Sequence, residues 1–410
     1  MKFVIVVAVL SVLVSTAFYF FEAWATANPP NYSESLPDNM FVLMLQGFAV
    51  RRRTESRMAQ IADDFFKSYG DDGNPTKSKN IILTGSTSGL GFGTATRLIA
   101  AGGFKTLFLP CRKGNNDQYV ANFRKRLLAS ATELVSSLDD NRKATGVKNI
   151  ENGMKHVQIM AMDLASLDSV DNGVAEIKKR LSDDSIDILI NNAGLVNIYG
   201  GKTADGFEKA FGVNYLGTAY FTEKVQEAGL LSEFDLKGDF PRVIMVTSEE
   251  HRMHRAVKLK NQTYFGDFYD FGLYTGGQMK GYAYSKFLLS TYSHELSRRW
   301  KHKARIFDIC PGPVSSDIAG DAPWPVNHLV VLWMKYSFVS AIEAALPLLN
   351  VGFYKHAENR QDDTAKPLVH FHMGEERPAS KESQYEANGS ILWSLTHKLF
   401  KNRKPLSASQ

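Results

Sequence analysis

The sequence lacks the features that mark disulfide-linked, nucleic-acid-binding or disordered proteins. Only two cysteines, Cys111 and Cys310, occur in 410 residues, which excludes a disulfide framework or a CxxC zinc site. The net charge is only +5 and gives no reason to expect a nucleic-acid partner. Hydrophobic residues make up 44% and charged residues 22% of the chain, as in globular proteins.

Charge is also missing from a long segment at the N-terminus. Residues 3–20 (FVIVVAVLSVLVSTAFYF) are uncharged, and a run of this length is a membrane-span candidate. Lys2 in front and the sequence AWATA behind also fit a cleavable secretory signal. Residues 1–26 are therefore predicted to form an anchor or a signal. The expected location is a membrane, with the endoplasmic reticulum favoured, or the secretory-pathway lumen if the segment is removed.

From residue 80 the chain alternates between short apolar runs and helix-like stretches. Helical spacing is found in residues 89–101, 166–181, 205–228 and 281–300, and residues 113–155 are predicted to hold one helix followed by a polar insertion. The apolar runs are NIILTG (80–85), KTLFLP (105–110), HVQIMAM (156–162), IDILIN (186–191), RVIMVTS (242–248) and ARIFDIC (304–310). This alternation predicts an α/β fold with a doubly wound parallel sheet.

A glycine-rich stretch directly follows the first predicted strand. In TGSTSGLG (84–91), Gly85, Gly89 and Gly91 allow a tight turn and close approach of a pyrophosphate, which the N–H groups of the next helix would bind. No Gly-Lys-Ser/Thr closes it, so it is not a Walker P-loop. After the second strand, Arg112 and Lys113 stand where an acidic residue would bind the ribose of NAD. These cations favour NADP over NAD, although a solvated basic turn is the alternative.

The ordered motifs of residues 79–318 resemble those of the short-chain dehydrogenase/reductase family, and are most similar to its retinol dehydrogenase-like branch. They are TGSTSGLG, MDLASL, NNAG, FGVNYLG, VTS, YAYSK and CPGPVSS. The branch is indicated by STSGLG, by CRK after the second strand and by the N-terminal apolar segment. The resemblance implies a single Rossmann-type domain with a C-terminal substrate lid.

The resemblance also implies roles for individual residues. Asp163 would face the adenine, Asn214 would hold a water that links Lys286 to solvent, and Lys286 would bind the nicotinamide ribose. The implied cofactor-binding residues are Gly85, Ser86, Ser88, Gly89, Leu90, Gly91, Arg112, Asp163, Asn191, Ala193, Gly194, Tyr282, Lys286, Pro311, Gly312 and Ser316. The implied catalytic residues are Ser248, Tyr282, Lys286 and Asn214.

The helical period distinguishes the two tyrosines of GYAYSK (281–286). Tyr282 is four residues before Lys286 and shares its helix face, whereas Tyr284 does not. A neighbouring ammonium lowers the pKa of a phenol, which makes tyrosine a better acid or base. Tyr282 is therefore the predicted proton donor, and Ser248 would polarise the substrate oxygen.

No metal site is predicted from the histidines. His251, His254, His370 and His372 lie in pairs, but no HExxH-type motif surrounds them. Solvated or core histidines are the favoured interpretation.

Four parts of the chain are predicted: an anchor or signal (1–26), a linker with a possible interfacial helix (27–78), the NADP-binding catalytic domain (79–325) and a C-terminal helical extension (326–410). The apolar stretch 328–349 resembles a second membrane segment, but its charges favour a core or membrane-facing helix.

The predicted function is NADP-dependent interconversion of an alcohol and a carbonyl on a lipophilic substrate, such as a retinoid, a steroid or a lipid aldehyde. A carbon–carbon double-bond reductase and a non-catalytic NADP-binding protein on the same fold are the alternatives. The expected partners are the membrane and the substrate, and a homodimer is one expected assembly.

Overall fold

The computed structural model describes residues 78–197, 200–232, 240–254, 278–315, 338–353, 368 and 370–403. The hydrophobic segment 3–20, the predicted linker up to residue 77 and Ser316 lie outside these residues. Within the described part of the chain, no helix is both long enough and apolar enough to cross a membrane.

Ten short strands are present in the described residues. They are β1 (Asn80–Leu83), β2 (Thr106–Cys111), β3 (Val157–Ala161), β4 (Ile188–Asn191), β5 (Arg242–Val246), β6 (Arg305–Cys310), β7 (Val314–Ser315), β8 (Val339–Ser340), β9 (His370–His372) and β10 (Glu375–Arg377). Eight of them form one sheet in the order β10-β9-β6-β5-β4-β1-β2-β3, and β7 pairs with β8. In the large sheet all neighbours are parallel except β9 and β10. The predicted doubly wound parallel sheet is confirmed.

Helices cover both faces of this sheet. They are α1 (Gly89–Ala101), α2 (Asp117–Ser136), α3 (Asp140–Lys155), α4 (Leu167–Leu181), α5 (Thr218–Glu227), α6 (Gln278–Arg299), α7 (Ala341–Phe353), α8 (Lys381–Gln384) and α9 (Glu386–Asn402). A π-helix (Phe211–Gly217) runs into α5, and a 3-10 helix (Glu249–His254) follows β5. One core joins the sheet to α1, α2, α3 and α7. The other joins it to α4, α5, α6 and α9.

The central strands are short and are buried on both faces. All four residues of β1 are buried, as are all four of β4. Continuous apolar runs of this kind are the sequence pattern of strands covered on both sides. The six apolar runs of the sequence therefore locate β1 to β6 to within about two residues.

The polar insertion predicted before β3 is wrong, because these residues form helix α3. Asp139 caps its N-terminus and accepts the N–H of Arg142 at 3.0 Å. The helix buries Gly146, Ile150 and Gly153 at helical spacing, so only one large apolar residue is fully buried. Two glycines and many charges conceal this periodicity in the sequence.

The C-terminal part of the chain contributes to the sheet as well as to the helical layers. Helix α7 packs so closely on α1 that a Cβ at Gly93 would lie 2.2 Å from the carbonyl oxygen of Ala341. Segment 328–349 was predicted to be a core helix or a membrane-facing helix, and its residues 341–349 lie in α7, which packs in the core. Strand β9 pairs in parallel with β6, and β8 and β10 also lie in the region predicted as a helical extension, so its described residues contain three strands. The predicted boundary at residue 325 stays a prediction.

Candidate active site

The turn between β1 and α1 brings glycine residues against neighbouring backbone. Gly85 has a φ of +67°, and a Cβ there would lie 2.6 Å from the Cα of Ala193. A Cβ on Gly91 would lie 2.2 Å from the carbonyl oxygen of Gly85. Asn192 donates from Nδ2 to the carbonyl oxygens of Thr84 and Gly85, at 2.9 and 3.1 Å. The turn is therefore held to the end of β4, and only glycine fits its tightest positions.

Two serines of this turn differ from ordinary buried or capping residues in the part of the chain that the structure describes. Ser88 precedes α1 without a side-chain capping bond, and the first turn of α1 contains no acidic residue. The Ser86 hydroxyl is fully buried, and its oxygen has no hydrogen-bond partner among the described residues. A helix N-terminus with free N–H groups attracts anions. The arrangement fits the pyrophosphate of a dinucleotide.

Other predicted cofactor residues lie at the carboxyl ends of the strands. Arg112 follows β2 and is exposed. Asp163 follows β3, and its carboxylate accepts the N–H of Ala165 at 2.9 Å. Asn191 ends β4 and donates to Thr222 at 2.8 Å. The same edge of the sheet carries Gly89, Leu90, Ala193, Gly194, Pro311 and Gly312. This is the edge at which open parallel sheets bind ligands.

Helix α6 separates the two tyrosines of GYAYSK. The Nζ atom of Lys286 lies 5.7 Å from the ring centroid of Tyr282 and donates to the carbonyl oxygen of Val246 at 2.8 Å. Tyr284 is buried and stacks with Phe287, at a centroid distance of 6.2 Å. Tyr282 thus lies beside Lys286, and Tyr284 packs in the core.

Asn214 lies in the middle of the π-helix. Its Oδ1 accepts the N–H of Leu195 and its Nδ2 donates to the Leu195 carbonyl oxygen, both at 2.8 Å. A Cβ on Gly194 would lie 3.3 Å from Nζ of Lys286 and 3.5 Å from Oδ1 of Asn214. Asn214, Lys286 and the chain after β4 therefore meet at one point. Departures from α-helical winding are frequent at functional sites.

Ser248 lies directly after β5 and connects to two titratable side chains. Its hydroxyl forms a side-chain hydrogen bond with Tyr282 and donates to the carboxylate of Glu250. The sequence analysis did not predict Glu250 as a site residue. Its only signal is its place two residues after Ser248, where the 3-10 helix turns it back toward the serine.

The electrostatics of Tyr282 differ from the prediction that lysine lowers its pKa. Burial raises the pKa of Tyr282 above its usual value, the Glu250 carboxylate acts in the same direction, and the bond with Ser248 opposes both. Burial lowers the pKa of Lys286 to about 8. The prediction that Lys286 lowers the pKa of Tyr282 is therefore wrong for this arrangement. Burial has the largest effect on the pKa of Tyr282, and the Lys286 ammonium is hydrogen-bonded to the carbonyl oxygen of Val246.

A second group of buried polar side chains adjoins Ser248. We call it the histidine cluster: Glu249, Asp308, Cys310, His370 and His372. The His370 ring bridges two carboxylates, with Nδ1 3.0 Å from Asp308 and Nε2 2.8 Å from Glu249. Burial alone would lower the pKa of His370, but Asp308 and Glu249 raise it to about 9. The ring therefore donates from both nitrogens.

The pairing of β6 with β9 assembles this cluster. Asp308 lies opposite His370, and Cys310 lies opposite His372. Burial lowers the pKa of His372 to about 4, so this ring is neutral. The predicted core environment is confirmed for His251, His370 and His372, which are buried. The cluster itself was not predicted, since its members come from three segments of the chain that lie about 60 residues apart: Glu249, Asp308 with Cys310, and His370 with His372.

Comparisons with known proteins agree with the motifs. The family model described as short chain dehydrogenase matches residues 122–259. Human polyprenol dehydrogenase is 28% identical over 255 residues, which cover 61% of this chain and 65% of that protein. Human retinol dehydrogenase 14 is 32% identical over 184 residues, covering 45% and 48%. Human retinol dehydrogenase 11 is 27% identical over 264 residues, covering 63% and 67%.

The fold and the grouped residues define an α/β protein of Rossmann topology with a tyrosine–lysine pair at the carboxyl edge of its sheet. The chain is similar to the short-chain dehydrogenase family over residues 122–259, and retinol dehydrogenases are among the proteins that it resembles. The matched regions span about half to two thirds of the length of these curated relatives.

Proposed function

We propose that the protein is an NADP-dependent oxidoreductase that interconverts an alcohol and a carbonyl on a lipophilic substrate, such as a retinoid, a steroid, or a lipid aldehyde or ketone. The observation that carries this proposal is the convergence of Ser248, Tyr282, Lys286 and Asn214 beside the glycine turn. The turn supplies a cradle for a dinucleotide, and the four side chains supply groups for proton transfer.

Each side chain has a role in carbonyl reduction that its contacts support. A bound reduced nicotinamide would supply a hydride to the carbonyl carbon. Tyr282 would donate its phenolic proton to the carbonyl oxygen, and Ser248, already hydrogen-bonded to Tyr282, would hold that oxygen. Lys286 would keep a positive charge beside the phenolate that forms. Asn214, which meets Lys286 near Gly194, would hold the water through which the proton is replaced.

The choice of NADP is supported by the end of β2. Arg112 is exposed there, where a guanidinium can pair with the 2′-phosphate of NADP. We therefore expect NADPH to be preferred over NADH, and reduction to be favoured in a cell that keeps NADPH in excess.

The lipophilic substrate and the membrane location are supported by less direct observations. The relatives are named for polyprenol and retinol, both of them lipophilic alcohols. The uncharged segment 3–20 would place the protein at a membrane, where such substrates concentrate. That segment lies outside the described residues.

A matched pair of tyrosine variants tests the function. Purified protein is assayed with NADPH and a panel of lipophilic aldehydes and ketones, together with Tyr282→Phe and Tyr284→Phe. Removing the proton donor should lower kcat by about 100-fold or more. Tyr284→Phe should keep kcat within about threefold, since Tyr284 is buried and its ring, which stacks with Phe287, is retained. Equal activity of Tyr282→Phe and wild type would overturn the proposed mechanism.

The cofactor preference is tested separately with Arg112→Ala. Loss of the charge should lower the affinity for NADPH by about tenfold, which corresponds to about 1.4 kcal/mol, and should leave the affinity for NADH unchanged. A variant that keeps the wild-type preference for NADPH would exclude Arg112 as the phosphate-binding residue.

A further inference from the structure

Three chemically different metal-ligating side chains of the histidine cluster meet around one point. Nδ1 of His372 lies 3.3 Å from Sγ of Cys310 and 3.9 Å from Oε1 of Glu249. All three ligand atoms lie within 4.8 Å of one another. Each residue is at most 8% exposed, so their grouping is not a feature of a solvated surface.

These distances match those of a tetrahedral zinc site. Zinc bonds of about 2.0–2.3 Å to nitrogen, oxygen and sulfur give ligand–ligand separations of about 3.4–3.6 Å. The nitrogen–sulfur separation is 3.3 Å and the nitrogen–oxygen separation is 3.9 Å. Both separations lie within about half an ångström of the values for a bound ion. Cysteine, histidine and glutamate are all zinc ligands, and three protein ligands leave a fourth position for water.

Further groups orient the three ligands from outside. His370 donates to Oε1 of Glu249 at 2.8 Å, and Arg252 donates to Oε2 at 2.7 Å. The N–H of Gly312 lies 3.4 Å from Sγ of Cys310. Hydrogen bonds of this kind hold ligands in place in known metal sites. Here they are formed by side chains and backbone that are already buried.

His251 also lies close to Glu249 and His370, but both of its ring nitrogens are engaged. Nδ1 lies 2.6 Å from the carbonyl oxygen of Ser248 and must donate to it. Nε2 accepts the N–H of Ser380 at 3.0 Å. No lone pair remains for a metal, so His251 positions the turn and is not a ligand.

We propose that Glu249, Cys310 and His372 form a binding site for a divalent transition-metal ion of the zinc type. Binding releases the thiol proton of Cys310 to solvent, so the carboxylate and the thiolate together match the two charges of the ion. The ion joins the turn after β5, the end of β6 and strand β9. It thereby fixes the segment that begins at Ser248. The proposal departs from the expectation of no metal, and it does not depend on the proposed function.

The test uses metal binding and not turnover. The full chain, purified without a metal-affinity tag and treated with chelator, is titrated with zinc chloride by calorimetry and with cobalt(II) by absorption. We expect one zinc per chain and a near-ultraviolet band of thiolate-to-cobalt charge transfer. Cys310→Ser should abolish the band, and His372→Gln should weaken zinc binding by about 100-fold or more, or about 2.7 kcal/mol.

Two variants provide matched controls. Cys111→Ser removes the only other cysteine, at the end of β2, with three strands between β2 and β6, and should keep both the band and the affinity. His397→Gln removes a partly exposed histidine of α9 and should do the same. Zinc should also raise the Tm of wild type and of Cys111→Ser, reversibly with EDTA.

The outcomes separate a built site from surface binding. Absence of zinc binding by the wild type overturns the proposal. A cobalt band that survives in Cys310→Ser, or an unchanged zinc affinity in His372→Gln, overturns it equally. If Cys310→Ser does not fold, the zinc affinity of His372→Gln and the EDTA-reversible rise in Tm decide whether the site exists. If zinc does not raise the Tm of Cys111→Ser, that result counts against the site.

Discussion

The glycine turn and the histidine cluster lie at the same edge of the sheet but satisfy their polar groups differently. At the turn, the Ser86 hydroxyl has no partner among the described residues, and α1 begins without a side-chain cap. In the cluster, His370 donates to two carboxylates, and Asp308 also accepts from Ser290 at 2.6 Å. Ser88 is exposed, but the Ser86 hydroxyl is as buried as the cluster, so exposure does not account for its lack of a partner.

This difference separates two ways of building a polar site. Buried polar groups cost free energy unless they are paired, so unpaired groups at the turn indicate a missing ligand. In the cluster, His370 is hydrogen-bonded to Asp308 and Glu249. These residues therefore stabilise the folded state before any ligand binds. Substitutions at the turn should change binding most, and substitutions in the cluster should change stability most. Each of the following predictions tests that contrast.

The largest effect is expected for Asp308→Asn in the cluster. The amide would leave the buried His370 imidazolium with one carboxylate in place of two, and breaking a buried ion pair costs about 3–5 kcal/mol. Denaturant titration measures this as a loss in the free energy of unfolding. Glu176→Gln, which removes an exposed pair with Arg180, should lower the free energy of unfolding far less, because solvent screens the pair. If Asp308→Asn and Glu176→Gln lost similar amounts of unfolding free energy, the cluster would not be the stabilising region that this comparison requires.

The next effect is expected for Gly91→Ala at the turn. The added Cβ would lie 2.2 Å from the Gly85 carbonyl oxygen, and such overpacking costs about 1–3 kcal/mol. NADPH affinity, measured by fluorescence titration, should fall by about tenfold or more because the turn must open. Gly153→Ala in α3, where the nearest atom is 3.2 Å away, should leave NADPH affinity unchanged. Undiminished NADPH binding by Gly91→Ala would show that this turn does not hold the dinucleotide.

A smaller effect distinguishes two helix N-termini. Asp139 caps α3 through the N–H of Arg142, so Asp139→Ala should lower the free energy of unfolding by about 1 kcal/mol. Ser88 makes no such bond at α1, so Ser88→Ala should leave stability nearly unchanged. Thermal unfolding of both variants measures the difference. A larger loss for Ser88→Ala would mean that the N-terminus of α1 is capped and not kept open for an anion.

The smallest effect is a pH dependence outside both regions. His397 on α9 lies 2.9 Å from Glu223, and this hydrogen bond raises the pKa of His397, although burial opposes it. The stabilisation is therefore complete below the unfolded-state pKa of about 6.5 and is lost as pH rises through the folded-state value. Wild-type Tm should fall slightly above pH 6.5, relative to His397→Gln. Parallel pH profiles of the two proteins would exclude this contribution.

The sequence predicts the strands, the glycine turn and the tyrosine–lysine pair better than it predicts the histidine cluster. Strands β1 to β6 are apolar runs that any layered fold must bury, and Gly85, Gly91, Tyr282 and Lys286 lie in short motifs. The cluster depends on β9, a three-residue strand whose register against β6 cannot be read from local periodicity. Glu250 was missed because a charged residue after Ser248 looks solvated until the 3-10 helix turns it inward. No comparison tests the assigned catalytic roles, which stay predictions.

The position of β9 has a consequence for how the protein is made. Strand β6 ends at Cys310, but its neighbour β9 begins only at His370. While the ribosome adds the intervening residues, one edge of β6 has no partner strand, and such an edge can pair with another nascent chain. The central sheet is complete only after residue 377 has left the exit tunnel. Ribosomes stalled before and after that point should therefore differ in how readily their chains aggregate.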